Sequence, residues 1–193
     1  MTKVNPTGTG SFSFNRKANT TIGTNSFAEG YNTTASGNYS HAEGRETVAS
    51  GNQSHAEGYG SLASGSDAHA EGSYTEATGA YSHAEGEETQ ATAASAHAEG
   101  EFAVASGRGS HAEGYGTTAS SEYQHVQGKL NIEDADNIYA HIVGNGKEFP
   151  GDTPTVYSNA YTLDWDGNGW YAGTLTATAV YGAVWNDYAE YRQ

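Results

Sequence analysis

The chain has no cysteine, three prolines and one methionine among 193 residues, and only eight lysines and arginines against 23 aspartates and glutamates. Without cysteine there is no disulfide staple and no thiol chemistry. A formal net charge of −15 leaves too few cations to build a phosphate-binding surface, so nucleic acid and anionic membrane are set aside as partners. Long apolar runs are missing as well. No segment approaches the roughly 18 apolar residues of a membrane helix, and the opening MTKVNPTGTGSFSFN has no stretch of signal-peptide length. Only 35% of residues are hydrophobic, and many of these are alanine or tyrosine, so a conventional core of large aliphatics is not available through the middle of the chain. These shortages lead us to expect a soluble chain, made in a cytoplasm, with no membrane insertion.

Glycine is plentiful, 26 residues, and it is regularly placed. From Ser26 the chain divides into blocks of fourteen: SFAEGYNTTASGNY, SHAEGRETVASGNQ, SHAEGYGSLASGSD and onward, without insertion or deletion to Gln124. Such regularity marks a repeat architecture in which each unit stacks on its neighbours. Within each block Ala-x-Gly recurs every seven residues, giving two short strands and two turns. A coiled coil is the poorer reading, because glycine every seven residues costs a helix about 1 kcal/mol each. Calcium-binding nonapeptide repeats require GGxGxD, which does not occur. Residues two apart in a strand share a face, so His41 and Glu43 point one way while Ser40, Ala42 and Gly44 point the other. Alanine as the inward residue implies a very narrow coil. Coils rising about 4.8 Å each bury little apolar surface alone, so several chains side by side are expected.

SHAEG alternating with ASG resembles the repeat of trimeric autotransporter adhesin heads, roughly SVAIG with a second AxG, over about Ser26 to Gly128. The resemblance implies a left-handed parallel β-roll, a homotrimer, and a trimer seam formed by the residues flanking the strand's alanine. Here these are His41, Glu43, His55, Glu57, His69, Glu71, His83, Glu85, His97, Glu99, His111 and Glu113. SFSFNRKANTTIG before the repeat, with NAYTLDWDGNGWYAG and VWNDYAEY after it, also resembles phage and prophage tail-fibre proteins, many of which continue into a self-cleaving intramolecular chaperone. The missing export signal and anchor favour that particle over a cell surface.

Three readings of the histidine and glutamate columns stay open. They form a polar ladder, solvated or packed between chains; or imidazoles such as His41, His55, His69, His83, His97 and His111 ligate a metal on a three-fold axis; or the pairs do acid-base chemistry. Many identical pairs in a row describe a structural column better than a single catalytic constellation, so no enzyme and no cofactor are expected. If protonated histidines compensate the glutamates, their pKa values are raised and the assembly loosens as pH rises through them. Phe27 replaces histidine in the first block, and Val126 and Gln127 replace alanine and glutamate in the last, which marks both as capping coils. Ala93 and Ser121 stand where glycine is the rule and become weak points if that place needs a positive φ.

Tyr31, Tyr59 and Tyr115 follow the first glycine, while Tyr39, Tyr81 and Tyr123 close their blocks; all read as turn residues. They pack over neighbouring turns or stack against sugar rings of a host-surface glycan, with Tyr31, Tyr59, Tyr115 and Tyr157 as candidate receptor contacts. After Gly128 large residues return. Tyr161, Leu163 and Trp165, then Trp170 across DGNG, predict a hairpin, followed by further strand from Thr174 to Tyr181. All three tryptophans lie in this region, where an ordinary core can form. Asp164, Asp166 and Asn168 are spaced like the start of a calcium loop, but Leu175 holds the place of its closing glutamate, so a turn is expected. The irregular segment Glu148 to Asn159 is a further recognition candidate.

The expected organisation is all-β: an attachment segment and first coil over 1–25, docking to other particle proteins; a β-roll shaft of 14-residue coils over 26–130; and an intertwined β-rich tip over 131–193. The expected function is that of a homotrimeric fibre or spike component of a phage or phage-like particle, presenting a host-binding surface outside the cell. A bacterial cell-surface adhesin head is the alternative, and a glycan-active enzyme is the least favoured.

Overall fold

Each block of fourteen folds into one five-residue strand and one two-residue strand, as in His41–Arg45 followed by Val48–Ala49. Two residues per coil take left-handed φ and turn the chain back on itself; in this coil they are Glu46 and Gln53, at 60° and 58°. In the computed structural model, which describes residues 9–18, 20–149 and 155–173, every element among the described residues is a strand. Successive coils pair in parallel and in register at an offset of fourteen, His41 against His55 and Ala42 against Ala56. The five-residue strands, with Phe12–Phe14 before them and Tyr139–Asn145, Asn159–Asp164 and Gly169–Tyr171 after them, build one twelve-stranded sheet, and the two-residue strands build a second sheet of seven. The fold is therefore the expected all-β parallel solenoid.

The core is a double file of alanines. Ala42, Ala56 and Ala70 from one sheet meet Ala49, Ala63 and Ala77 from the other, and none has any exposure. Hydroxyls fill the corners between them. The Ser54 hydroxyl donates to the carbonyl of Gly51 at 2.8 Å, and that of Thr47 donates to the carbonyl of Glu43 at 3.0 Å, so these buried polar groups are satisfied inside the same coil.

The two glycines of each block have different reasons. Gly72, after the glutamate, has φ +114°. The glycine of ASG does not have a positive φ, which corrects the expectation for the places held by Ala93 and Ser121. It is needed for close approach instead: a Cβ at Gly79 would stand 1.9 Å from the carbonyl oxygen of Ala93 in the next coil. The amides of Gly79 and Gly107 donate to Ala91 and Ala119 at 3.3 and 3.1 Å, whereas the Ala93 amide makes no such bond. Ser121 turns its departure to use, its hydroxyl donating to the Asp134 carbonyl and accepting from the Asn137 amide at 3.1 Å.

Stacking extends past both ends of the counted repeat. Phe12–Phe14 pairs in parallel with Phe27–Tyr31, and Tyr139–Asn145 pairs in parallel with His125–Lys129, His141 lying against His125. The coils of Phe27 and Val126 are thus interior layers rather than caps. Beyond them the sheet turns antiparallel: Asn159–Asp164 pairs with Tyr139–Asn145, and the expected hairpin places Trp170 opposite Thr162. Its turn is held by the Asp164 carboxylate, which accepts from the amides of Asp166 and Asn168 and from the Asn168 side chain at 2.7–3.0 Å. Trp165 and Trp170 are exposed, so this region does not gather its described tryptophans into a core. Leu175, the strand expected from Thr174 to Tyr181, the WNDYAEY stretch and residues 150–154 of the irregular segment lie outside the described residues.

The bonds from Asn168 hold the Asp164 carboxyl below its ordinary pKa. A depressed carboxylate favours the folded turn above its unfolded pKa, and that support is lost as pH falls through the folded value. NMR titration of the Asp164 carboxyl is expected to give a midpoint below that of aspartate in an unstructured peptide, and Asn168→Ala is expected to move it back up. An unchanged midpoint in that variant would remove Asn168 from the account.

Candidate functional site

The in-register pairing lays every histidine of the chain in one file. Eight imidazoles, from His41 to His141, stack with ring centroids 4.6–5.0 Å apart and ring planes within 13° of parallel. Aromatic rings continue the file at both ends, Phe12 and Phe27 before His41, then Tyr161 and Tyr171 after His141. Phe27 therefore takes the place of an imidazole as a ring in the same stack.

Beside the rings runs the glutamate file. From Glu43 to Glu113, each Glu reaches the histidine of the following coil: Glu43 Oε1 lies 3.3 Å from His55 Nε2, and Glu57 Oε1 lies 3.2 Å from His69 Nε2, both with hydrogen-bond geometry. The next four pairs stand at 3.4–4.0 Å, widest between Glu85 and His97, and meet the distance for an ion pair without the geometry of a hydrogen bond. Gln127 continues the pattern, its side chain 3.2 Å from His141 Nε2. Both partners remain about one third exposed, so each pair adds at most about 1 kcal/mol after solvent screening. The glutamates and their following glycines, Glu71 and Gly72 through Glu113 and Gly114, also line an open trench along the roll.

All twelve residues expected from the sequence thus stand on one outer face, in two adjacent files. The sequence reading missed His125, His141 and Gln127 as members; the signal was present in QHVQG and AHIVG, which repeat the SHAEG frame with changed neighbours. The expected direction of the pH effect is reversed at His141. Burial, joined by the neighbouring His125 and opposed by Glu113, holds its pKa below the ordinary imidazole value. The folded state there favours the neutral ring, so this contribution is present above the unfolded pKa and is lost as pH falls toward the folded one.

The tyrosines do not form one surface. Tyr31, Tyr59 and Tyr115 end five-residue strands, whereas Tyr39, Tyr81 and Tyr123 occupy left-handed turn residues and are exposed. Arg45 bridges the first group, its guanidinium 5.8 and 5.0 Å from the ring centroids of Tyr31 and Tyr59. Tyr115 donates to Glu148 at 2.7 Å, which pushes its pKa up to about 12. It lines a shallow hollow with Phe102 and Tyr157, on coils well removed from Tyr31.

The repeat has a known counterpart. Residues 22–40, 42–68, 56–82 and 98–120 match the family described as YadA head domain repeat. The matched stretches lie within the stacked coils, and with the parallel solenoid they make this an adhesin-like head repeat. No curated protein matches the chain.

Proposed function

We propose that this chain is the head of a bacterial surface adhesin: a homotrimer of parallel rolls whose work is structural, holding a binding surface away from the cell. The observation that carries the reading is the match of the stacked 14-residue coils to the YadA head domain repeat. In this reading the histidine and glutamate files from His41 to Glu113 form the seam between chains, the place that the family's repeat gives to the residues flanking the alanine. A single roll with an alanine core buries little apolar area, and association supplies the rest. Tyrosine-bearing coils around Arg45 and around the hollow of Tyr115 and Tyr157 are left to face a ligand, and a surface glycan suits rings that are flat and half-exposed. The phage-particle reading, including docking to other particle proteins through the first 25 residues, rests only on the flanking motifs, and the family match favours the adhesin head over it.

The solution mass of the purified chain, measured by light scattering, is expected to be three times the 20.2 kDa of one chain. A monomer would overturn the trimer and leave the two files as a solvated face. Display of the chain on a non-adherent bacterium, followed by counting of cells retained on host tissue, tests adhesion itself; retention no greater than that of the undisplaying strain would overturn the adhesin reading while leaving the assembly standing.

A further inference from the structure

We infer that the histidine and glutamate files bind divalent transition-metal ions of the zinc type within a single chain, each ion taken by two imidazoles from successive coils and the carboxylate between them. The inference goes beyond the adhesin reading and does not rest on the trimer. Five groups bring two histidine nitrogens and one glutamate oxygen within 4.8 Å of one another, the first being His41, Glu43 and His55. Imidazole with carboxylate is a donor set that suits zinc, nickel and copper rather than calcium or magnesium, which take oxygen. The Glu43 oxygen and His55 nitrogen already stand 3.3 Å apart, about the separation of two donors on one ion with bonds of roughly 2.0–2.2 Å. The Nε2 atoms of His41, His83, His97, His111 and His125 are shielded from solvent and have no hydrogen-bond partner, so each holds an unused donor toward the file.

The stacking sets the stoichiometry. Parallel rings 4.7 Å apart aim their lone pairs side by side, so binding requires the two imidazoles of a group to swing toward each other. A ring committed to one ion is then withdrawn from the next group, and neighbouring groups that share a histidine cannot both fill. The file is also broken where Glu85 and His97 open to 4.0 Å, and no group spans His83 and His97. Four histidines before the break hold two ions, through Glu43 and Glu71. Three after it hold one, through Glu99 or Glu113. Three ions per chain follow.

The test uses the full chain without an affinity tag, stripped of metal, dialysed against zinc at neutral pH and counted by plasma mass spectrometry. About three equivalents are expected. His125→Gln removes only one of two competing groups and should keep three; His83→Gln should leave two; His55→Gln with His111→Gln removes four of the five groups and should leave one. Thermal melts and light scattering on each variant establish that it is folded and assembled as the parent is, so a lost site is not a lost fold. Fewer than two equivalents in the parent would overturn the inference, and so would an equal loss from His125→Gln and His83→Gln, the result expected if single imidazoles bind independently. A monomeric mass with three ions bound would overturn the trimer and leave the metal sites standing.

Discussion

Gly72→Ala is expected to destabilise the roll by at least about 3 kcal/mol, far more than a methyl group added elsewhere on the surface. Two costs fall on the same atom. The backbone at Gly72 has φ +114°, a region that costs a residue with a side chain about 1–3 kcal/mol. The added Cβ would also stand 2.1 Å from the carbonyl oxygen of Gly86 and 3.0 Å from its nitrogen. Those are backbone atoms of the next five-residue strand, paired in register with this one, and they cannot retreat without parting the sheet. Gly65→Ala separates the two terms. Its Cβ would meet the Gly79 oxygen at 1.9 Å, but its φ is ordinary, and Ala93 shows that a coil can carry alanine at the equivalent place by giving up one amide bond. A loss of about 1–2 kcal/mol is expected there. Denaturant midpoints of the two variants decide the matter, and equal losses would show that φ plays no part. Coils contact only their neighbours, so hydrogen exchange in Gly72→Ala should quicken most in the layers of His55 and His83.

The contrast between these glycines shows where the sequence was readable and where it was not. Period, strand content and the inward alanine all follow from spacing, because a 14-residue lattice without gaps admits one register, and Ala42 over Ala56 is what that register requires. The hairpin was legible from DGNG. The reason for glycine in ASG was not, since a close backbone approach and a positive φ favour the same residue, and only the distance to the next coil distinguishes them. The ends of the roll were hidden by two changes of spacing. His141 follows His125 by sixteen residues rather than fourteen, and Phe12 precedes Phe27 by fifteen, so a search at fixed period passes over AHIVG and SFSF, although each supplies a parallel strand. At the site, spacing placed His41 and Glu43 on one face but gave no pairing between layers. Which glutamate meets which histidine depends on side-chain reach across the sheet, and the answer, Glu43 to His55 of the coil after, has no signature in the repeat.

Asp134→Ala is expected to cost about 3 kcal/mol and to release the far end of the roll, through a device that the repeat does not announce. A parallel solenoid leaves its last coil with unpaired backbone groups over an open core. Here Asn131 closes the edge of the two-residue sheet, its side chain accepting from the Thr118 amide at 2.8 Å and donating to the Thr118 carbonyl at 3.0 Å. Asp134 closes the other side. It is buried, and its carboxylate accepts from the amides of Ile138 and Tyr139 and from the side chain of Gln124, at 2.8–3.2 Å. Gln124 lies where the other blocks have serine or alanine, and its longer side chain spans the coil to reach both Asp134 and the Tyr139 carbonyl. Removing the carboxylate leaves the part-buried amides of Ile138 and Tyr139 without acceptors, at about 1–2 kcal/mol each, while the Gln124 amide keeps its bond to Tyr139. Asp134→Asn retains one acceptor oxygen and should cost about 1 kcal/mol. Exchange of the Ile138 and Tyr139 amides reads the effect directly: fast exchange in Asp134→Ala with slow exchange kept at Ala98 would place the loss at the end of the roll. Protection of both amides equal to that of the parent would mean that the stack from His125 to His141 holds the last coil without this cap.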